Sequence, residues 1–363
     1  MLLNYMYVIG FTMQFYVDYS SGSLQLVHVT FRHGHRTGIG NIKFRDDPSA
    51  NITFYPIGFG GLTNEGKVAA YNLGKFLRKR YGSFLGNVYE PKLISAVSSG
   101  VPRSSMTLLV ALAGLFPPKN TPSEWNKNLD WQPIPYQELS LDDKLLLSPT
   151  NNNCTTYHNW FKEYLRTEDA TTVLKSYGNL YHYYQENTNQ NIDAIQLVIA
   201  VDAIWTRKEQ NLELPTWIKD VYFNRDENPL IDFFSATSGN SKLKQLTGGF
   251  LLKKILKDTR LNLNQPSNLK MFLYGSHDST VFYLLNALEV LVPHAPDYTA
   301  CVMVEVHKIN NMDSIRILYR SLTELKILIV PGCTEFCPLE KFSELVDKNI
   351  PSDEFCESHK SCC

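Results

Sequence analysis

The fold of this chain is decided by the stretch Leu24-Gln25-Leu26-Val27-His28-Val29-Thr30-Phe31, which runs directly into Arg32-His33-Gly34-His35-Arg36. The first part is a compact run of apolar and β-branched residues, which predicts a strand buried on both faces. The second part concentrates basic side chains around a glycine that permits a tight turn. The junction therefore predicts a buried strand with a polar site at its carboxyl end.

The same pattern occurs twice more along the chain. A short strand is predicted over residues 93–97; it is followed by Ser98-Ser99-Gly100-Val101-Pro102-Arg103 and a helix over residues 104–115. A third strand, over residues 269–274, runs into Gly275-Ser276-His277-Asp278-Ser279-Thr280 and a helix over residues 281–290. Each of the three predicted strands thus ends in polar or charged residues.

A helix is also predicted between the first two strands, because Ala69, Leu73, Phe76 and Leu77 share one of its faces. Strands that alternate with helices predict a mostly parallel sheet covered on both faces. Ligands of such sheets lie beyond the carboxyl ends of the strands. We therefore expect the three polar clusters to converge on one crevice of an α/β fold.

The predicted α/β catalytic domain is discontinuous, over residues 24–145 and 263–350. The segment 146–262 is rich in Asn, Tyr and Lys and has no strong strand pattern, and residues 189–207 have helical periodicity. We interpret this segment as a helical cap inserted over the crevice. Residues 302–307 and 315–319, joined by Asn310-Asn311-Met312-Asp313, predict a late hairpin.

The ends of the chain indicate where the protein acts. Residues 1–17 carry no charge and small residues follow them, so residues 1–23 are interpreted as a signal peptide, with a buried N-terminal element as the alternative. No other run approaches the ~18 apolar residues of a spanning helix, and the tail over residues 351–363 is polar, so no membrane anchor is expected. The predicted location is extracellular after secretion, with the lysosome as the alternative.

Cysteines and glycosylation signals favour the same compartment. With an export signal, disulfides are the better interpretation of the seven cysteines, and a zinc site has little support because no second CxxC or HxxxH motif lies nearby. The sequons at Asn51 and Asn153 are candidate glycosylation sites. The formal net charge of −1 gives no global attraction to nucleic acid.

The clustered residue types suit phosphoryl transfer. Guanidinium groups match phosphate oxygens, so Arg32, Arg36 and Arg103 could bind a dianionic phosphoryl group and His277 could add a donor. An imidazole among arginines stays neutral in acid, which makes His33 a usable nucleophile. Asp278 is placed to protonate the leaving oxygen, which predicts activity at low pH. This chemistry needs no metal and no cofactor.

Those motifs resemble the histidine acid phosphatases. Arg32-His33-Gly34-His35-Arg36 is similar to their RHGxRxP signature, and Gly275-Ser276-His277-Asp278 to their distal His-Asp element. The similarity extends over Leu62-Thr63-Asn64-Glu65-Gly66, Trp131-Gln132-Pro133-Ile134-Pro135 and Pro331-Gly332-Cys333. Within the family, the chain resembles the insect venom and prostatic-type enzymes.

The resemblance implies a phosphoglycerate-mutase-like central mixed sheet flanked by helices, with an inserted helical cap. It implies that His33 is the nucleophile and Asp278 the proton donor. Phosphate binding is implied for Arg32, Arg36, Arg103 and His277. Two disulfides are implied, Cys154–Cys356 and Cys333–Cys337, whereas Cys301 would lack a partner because Thr206 stands near the expected position.

The chain departs from the family pattern around the nucleophile. The proline after the first motif is replaced by Gly38, and the middle residue of RHGxR, often Asp, is His35. The segment before Arg103 lacks an arginine and two acidic residues, so we expect a less well oriented Arg103.

Two alternatives to a general acid phosphatase remain open. One is a phytase or another specialised phosphatase on the same fold, and the other is a catalytically weakened secreted venom or binding protein. The expected partners are small phosphate monoesters, with phosphoproteins and lipid phosphates as further substrate classes, and a homodimer is left open.

Overall fold

The computed structural model describes residues 22–39, 42–140, 146–148, 154–168, 177–188, 190, 194–221, 229–265 and 268–352. These residues form an eight-stranded sheet with helices on both faces. In chain order the strands are β1 (Ser23–Arg32), β2 (Ile94–Ser98), β3 (Gln137–Glu138), β4 (Met271–Ser276), β5 (Cys301–Ile309), β6 (Met312–Arg320), β7 (Leu325–Leu328) and β8 (Cys337–Pro338). The order across the sheet is β3-β2-β4-β1-β5-β6-β7, and β8 pairs with β6.

The α-helices of the described residues are α1 (Asn64–Leu85), α2 (Pro102–Leu115), α3 (Thr155–Tyr164), α4 (Gly178–Thr188), α5 (Ala194–Glu209), α6 (Pro229–Thr237), α7 (Ser241–Lys244), α8 (Phe250–Asn264), α9 (Asp278–Ala287) and α10 (Leu339–Val346). A π-helical turn, Gln245–Gly249, joins α7 to α8. The helices expected after β2 and β4 are confirmed, but both begin earlier than predicted. Pro102 can start α2 because it occupies a position where a backbone N–H would have no partner.

The sheet is mixed rather than mostly parallel. β1, β2, β3 and β4 form the parallel half, in which Val29 lies opposite Leu273. β5 runs antiparallel to β1, and β6 and β7 continue in alternating directions. Between β5 and β6 the chain reverses at Asn310 and Asn311, which both have positive φ and form the tight turn of this hairpin. The predicted hairpin and the mixed sheet flanked by helices are confirmed, whereas the expectation of a mostly parallel sheet is wrong for this half.

β1 lies in the middle of the sheet and is buried on both faces, as predicted. Leu26 belongs to a core that includes residues of α8 and α9. Val27, Val29 and Phe31 belong to the opposite core, with residues of α1 and α2. Because successive side chains of a strand point to opposite faces, this one strand connects both cores. The residues that follow β1 are thus held by a buried element.

The segment between β3 and β4 contributes only helices among its described residues. A separate apolar cluster joins Phe44 to Leu197, Val201 and Trp217, so the chain after Arg36 packs against α5. The last helix of the segment, α8, crosses the predicted boundary between residues 262 and 263 and packs on the sheet through Leu252 and Ile255. Its apolar face belongs to the main core rather than to a cap.

The proposed signal peptide and tail lie mostly outside the described residues. Ser23, which the signal prediction included, already pairs with Lys308 at the start of β1. No helix among the described residues is long and apolar enough to cross a membrane.

Candidate active site

The carboxyl ends of three parallel strands bring the predicted residues together. His33 follows β1 and His277 follows β4, and the two imidazole rings lie 5.6 Å apart between centroids, edge to face. The backbone N–H of His33 donates to the carbonyl oxygen of Ser276 at 3.0 Å. Arg103 lies in the first turn of α2, directly after β2, instead of in the loop where the sequence placed it. The three clusters therefore meet in one crevice, as expected.

His33 is fixed by its own loop. Its Nδ1 lies 2.8 Å from the carbonyl oxygen of Gly34, which can only accept, so Nδ1 carries the proton and Nε2 carries the lone pair. The N–H of Gly34 donates to Thr107 Oγ1 at 3.0 Å, which joins the loop to α2. A Cβ at Gly34 would lie 2.4 Å from the carbonyl oxygen of Gly66, so the approach of α1 requires glycine here.

The pKa of His33 lies well below its usual value. Burial is the largest cause, and the positive charges of Arg103 and Arg32 act in the same direction. The side chain is 1% exposed and stays neutral in acid. Arginine charge alone was the cause that the sequence suggested, and burial adds the larger effect.

Three guanidinium groups surround the imidazole of His33, and each has an N–H donor available to a ligand. The Nε atoms of Arg32, Arg36 and Arg103 are buried, and none of them has a hydrogen-bond partner among the described residues. Buried polar groups are nearly always hydrogen-bonded, so three such donors in one place indicate a site for an anion. Burial, together with the charge of Arg36, lowers the pKa of Arg103 to about 10, so this group is charged at any acid pH.

Asp278 lies at the start of α9 and is paired with Arg32. The distance from Arg32 Nη2 to Asp278 Oδ2 is 2.9 Å, and the N–H of Ser279 donates to Asp278 Oδ1 at 2.8 Å. Burial raises the pKa of Asp278, but the charges of Arg32 and Arg36 lower it more, and the net shift is downward. Asp278 is therefore a carboxylate before any ligand binds.

Arg32 is also held by two neighbours that the sequence did not indicate. Its Nη1 donates to the carbonyl oxygen of Pro296 at 2.6 Å. Its guanidinium carbon lies 4.0 Å from the ring centroid of Tyr298, which is a cation–π contact. Tyr298 thus forms a wall of the crevice beside Arg32.

Arg36 is oriented by a carboxylate on α5. Its Nη2 lies 2.6 Å from Asp202 Oδ1, and its Nη1 lies 3.1 Å from Asp202 Oδ2. This bidentate pair occupies the terminal nitrogens and leaves Nε toward the crevice. Sequence reasoning missed Asp202, although an acidic residue inside the apolar run of α5 is a signal, since unpaired acids are rarely buried.

His277 receives its orientation from the segment that departs most from the family pattern. Its Nε2 lies 3.0 Å from Ser99 Oγ, and its backbone N–H donates to Thr280 Oγ1 at 3.3 Å. Burial and the charge of Arg103 lower the pKa of His277 to about 3, against the opposing effect of Asp278. The altered segment therefore contacts the site through Ser99. Arg103, at the end of that segment, has no ion pair among the described residues.

The loop after the nucleophile is tied down despite Gly38. Thr37 Oγ1 donates to the carbonyl oxygen of Gly58 at 2.7 Å and accepts from the N–H of Gly61 at 3.0 Å. The N–H of Gly60 donates to the carbonyl oxygen of Gly38 at 2.8 Å. These bonds replace the constraint that a proline would give.

His35 faces the rim of the crevice. Its Nδ1 lies 2.8 Å from Thr63 Oγ1 and 3.7 Å from Glu65, and its Nε2 lies 3.4 Å from Glu209. Its ring also meets Tyr298 edge to face at 5.2 Å. His35 thus connects the nucleophile segment to α1 and α5.

The cysteine predictions have different outcomes. A disulfide joins Cys333 to Cys337, with their Cα atoms 5.5 Å apart, as the resemblance implied. Cys154 is disulfide-bonded, but its expected partner Cys356 lies outside the described residues, so this pairing stays a prediction. Cys301 is free and buried, and burial raises its pKa to about 12.

The structure describes only some of the remaining predicted positions. Asn51 lies on an exposed turn, and Asn153, Cys362 and Cys363 lie outside the described residues. Among the described residues, no group of three or more His, Cys, Asp or Glu side chains could hold a metal ion. The expectation that catalysis needs no metal stays a prediction.

Comparison with known proteins agrees with the resemblance. The family model described as "Histidine phosphatase superfamily (branch 2)" matches residues 23–320. A venom acid phosphatase of Apis mellifera is 32% identical over 339 residues, which cover 91% of this chain and 86% of that protein. The prostatic acid phosphatase of Rattus norvegicus is 33% identical over 338 residues, with coverages of 91% and 87%.

A solved structure shows the same fold at lower identity. The phytase of Hafnia alvei in complex with tartrate has a TM-score of 0.67 at 17% identity, over 93% of this chain and 99% of that chain. At this identity the likeness concerns the fold alone. The family model and the two acid phosphatases carry the assignment instead, and by them this chain belongs to branch 2 of the histidine phosphatase superfamily.

Proposed function

We propose that this chain is an acid phosphatase, a phosphoric monoester hydrolase that acts through a phosphohistidine formed on Nε2 of His33. The observation that carries the proposal is a set of three buried guanidinium Nε atoms around a neutral imidazole, none of which has a hydrogen-bond partner in the described part of the chain. The acid phosphatases among its relatives support the same activity.

Substrate binding begins with the phosphoryl group. Its oxygens accept hydrogen bonds from Arg32, Arg36 and Arg103, whose Nε donors are then satisfied. His277 lies beside His33 and adds a ring N–H to the same group when its proton is on the atom that faces the phosphate. These donors also stabilise the charge that spreads over the oxygens during transfer.

In the first chemical step, the lone pair of His33 Nε2 attacks phosphorus. The N–P bond forms as the bond between phosphorus and the ester oxygen breaks. Asp278 donates a proton to that oxygen, and the alcohol leaves. Gly34 keeps Nδ1 engaged, so the nucleophilic nitrogen stays aimed at the crevice.

Asp278 must gain its proton before this step. Before substrate binds, Asp278 is paired with Arg32 and its carboxyl group is ionised. A bound dianion takes up part of the arginine charge and places negative charge near Asp278, and both effects raise the pKa of the carboxyl. Substrate binding and proton uptake are therefore coupled, which favours activity in acid.

In the second step, a water molecule attacks phosphorus and the N–P bond breaks. Asp278, now a carboxylate, accepts the proton of that water. Inorganic phosphate leaves and His33 returns to its neutral state. Asp278 thus donates a proton in the first step and accepts one in the second, so its protonation state is restored by the end of each turnover.

The test is to trap the intermediate. Wild-type protein is mixed with a phosphate ester labelled in phosphorus at mildly acid pH, denatured within milliseconds, and analysed for labelled histidine at neutral pH. We expect label on His33, no label in His33→Ala, and a loss of turnover in that variant of at least about 10⁴-fold. Undiminished turnover in His33→Ala would overturn the mechanism.

We also propose that the protein acts after export from the cytosol. The disulfide at Cys333–Cys337 and the disulfide-bonded Cys154 support an oxidising compartment. Mass spectrometry of the protein secreted from its own cells checks this proposal, with glycan on Asn51 and a mature N-terminus near Gly22 as the expected result.

A further inference from the structure

One carboxylate stands at the rim of the crevice without a role in the steps above. Glu209 is the last residue of α5, and its side chain is 39% exposed. Tyr298 donates its hydroxyl to Glu209 Oε2 at 3.2 Å. His35 Nε2 lies 3.4 Å from the same oxygen. Both contacts fix the carboxylate at the rim instead of letting it swing into solvent.

A chain of contacts joins this rim to the proposed proton donor. Asp278 protonates the ester oxygen, and Asp278 is paired with Arg32 at 2.9 Å. Arg32 lies over the ring of Tyr298, whose hydroxyl reaches Glu209. The line from the proton donor to Glu209 therefore crosses two side chains and leads from the buried crevice to its exposed edge.

The charge of the rim is negative. Burial raises the pKa of Glu209, but the contact with His35 and the charge of Arg32 lower it more, so Glu209 is ionised in mild acid. Glu65, which is 81% exposed, lies 3.7 Å from the other nitrogen of His35. Two carboxyl groups thus lie beside this one imidazole, so acidic side chains outnumber basic ones in this contact.

Three nearby arginines are already paired with other carboxylates. Arg36 is engaged by Asp202 and Arg32 by Asp278. Arg207, two residues before Glu209, is buried and paired with Asp47 at 2.8 Å. Most of the arginine charge near the rim is therefore matched by a carboxylate other than Glu209.

We propose that Glu209 is a specificity-determining residue that selects esters with neutral or cationic leaving groups and rejects those whose leaving group carries further phosphates. The proposal rests on the proposed function, because it assumes that the phosphoryl group lies among the three arginines. It names the substrate class of that site as singly phosphorylated alcohols.

The experiment compares three esters that differ in the charge of the leaving group: choline phosphate, glycerol 2-phosphate and inositol hexakisphosphate. For the wild type and Glu209→Gln, kcat/KM is measured on each at pH 5. We expect Glu209→Gln to raise the value for inositol hexakisphosphate relative to glycerol 2-phosphate by about tenfold, and to lower that for choline phosphate, because one nearby charge is removed. The effect should shrink as salt reduces the screening length from about 10 Å at 0.1 M to about 3 Å at 1 M.

The matched control is Glu213→Gln. This residue lies four positions further along, is exposed, and contributes its backbone carbonyl to Ser49. Its loss of charge should leave the three ratios unchanged. Equal shifts in both variants, or no shift in Glu209→Gln, would overturn the proposal.

Failure of the two proposals can be told apart. If the wild type turns over none of the three esters, the proposed phosphatase activity fails. In that case, the dissociation constants of the uncleaved esters, measured by calorimetry for both variants, still decide the role of Glu209. A tenfold change in the ratio of those constants supports it, and an unchanged ratio contradicts it.

Discussion

At the scale of single residues, the environment of each imidazole and carboxyl decides its state. His33 and His277 are neutral chiefly because they are buried, and the arginines add to this effect. Asp278 is ionised because Arg32 and Arg36 outweigh its burial. A neutral nucleophile and an ionised acid form one site because nearby charge acts oppositely on the two groups, favouring a carboxylate and disfavouring an imidazolium.

Replacing Asp278 tests its role as proton donor. In Asp278→Asn, esters of alkyl alcohols should lose about 10²–10⁴-fold in kcat, whereas aryl esters should lose far less because their leaving oxygen needs no proton. The measurement is kcat across a series of esters with leaving groups of increasing pKa. Equal losses along the series would contradict the proton-donor role.

The same variant has a second readout. In the proposed mechanism Asp278 is also the base that activates water, so Asp278→Asn should accumulate labelled phosphohistidine with an aryl ester. His33→Ala is the control and should show no label. Rapid-quench counting of bound phosphorus checks both.

At the scale of elements, α5 contacts the segment around His33 at two points on the same face of the helix, about two turns apart. Asp202 binds Arg36, and Glu209, seven residues later, lies beside His35. Residues seven apart share a helix face, so a single helix can hold both ends of the motif. The helical segment between β3 and β4 therefore takes part in the site through its side chains.

Asp202 is expected to act as a positioning residue. Asp202→Asn keeps one acceptor oxygen but removes the charge and the second bond to Arg36, so we expect kcat/KM to fall about tenfold. The check is a double-mutant cycle with Arg36→Lys. If the carboxylate acts through Arg36, Asp202→Asn should cost little more in the Arg36→Lys background, and fully additive losses would contradict this role.

Substitutions at the contact between α1 and α2 test whether this packing positions Arg103, which belongs to the polar cluster after β2. A Cβ at Gly74 of α1 would lie 2.0 Å from the carbonyl oxygen of Ala111 in α2, so Gly74→Ala must push the helices apart. We expect a loss of about 1–3 kcal/mol in the free energy of unfolding, measured with urea. Activity should fall too, because α2 carries Arg103.

Gly82→Ala is the control on the same helix. The nearest atoms to its added Cβ are in the side chain of Arg78, at 3.7 Å and beyond. An alanine in a helix interior should then stabilise by about 0.5–1 kcal/mol. Equal effects at Gly74 and Gly82 would show that the helices are not as closely packed as described.

At the scale of the whole molecule, buried histidines link stability to pH. His28, inside β1, bonds Thr259 through Nε2 at 3.0 Å and stacks on Phe272. Burial, with a smaller effect of Lys254, lowers the pKa of His28 to about 3. His277 has a pKa of about 3 as well, so both rings remain neutral in the folded protein in mild acid.

Stability should therefore fall as the pH falls from about 6.5 to about 3. In this window the unfolded chain binds protons on these imidazoles and the folded chain does not, which favours unfolding by up to about 1.4 kcal/mol per pH unit for each histidine. Carboxyl groups with a lowered pKa also stabilise the fold, but their contribution is lost only at lower pH. Burial raises the pKa of Glu305, whereas His307 and Arg80 lower it more, to about 2. The stability that Glu305 contributes is therefore lost only below about pH 4.

Urea unfolding between pH 7 and pH 4.5 checks the sign and the slope. In His28→Gln the slope should decrease by up to about 1.4 kcal/mol per pH unit, because one proton of difference is removed. His158→Gln serves as control, since this ring lies on the exposed surface of α3. Stability that rises on acidification would contradict the buried neutral state.

Much of this organisation follows from local sequence. The apolar run before Arg32, the two later strand-to-helix junctions and the Asn310-Asn311 turn each specify their element within a few residues. The residue types at those junctions also indicated phosphate chemistry. Patterns of this kind are readable because burial and turn geometry depend on neighbours close in the chain.

The tertiary structure decided what the sequence left open. Asp202 and Glu209 contact the motif although they lie more than 160 residues further along the chain. Tyr298, in the loop before β5, lies over the guanidinium group of Arg32. The antiparallel pairing of β5 with β1 and the place of α8 in the main core depend on the same long-range packing. Local sequence indicated the basic residues of the site and the strands that present them. Only the folded chain decided their charge states and their orienting partners, because burial and contact between distant segments exist only once the chain has folded.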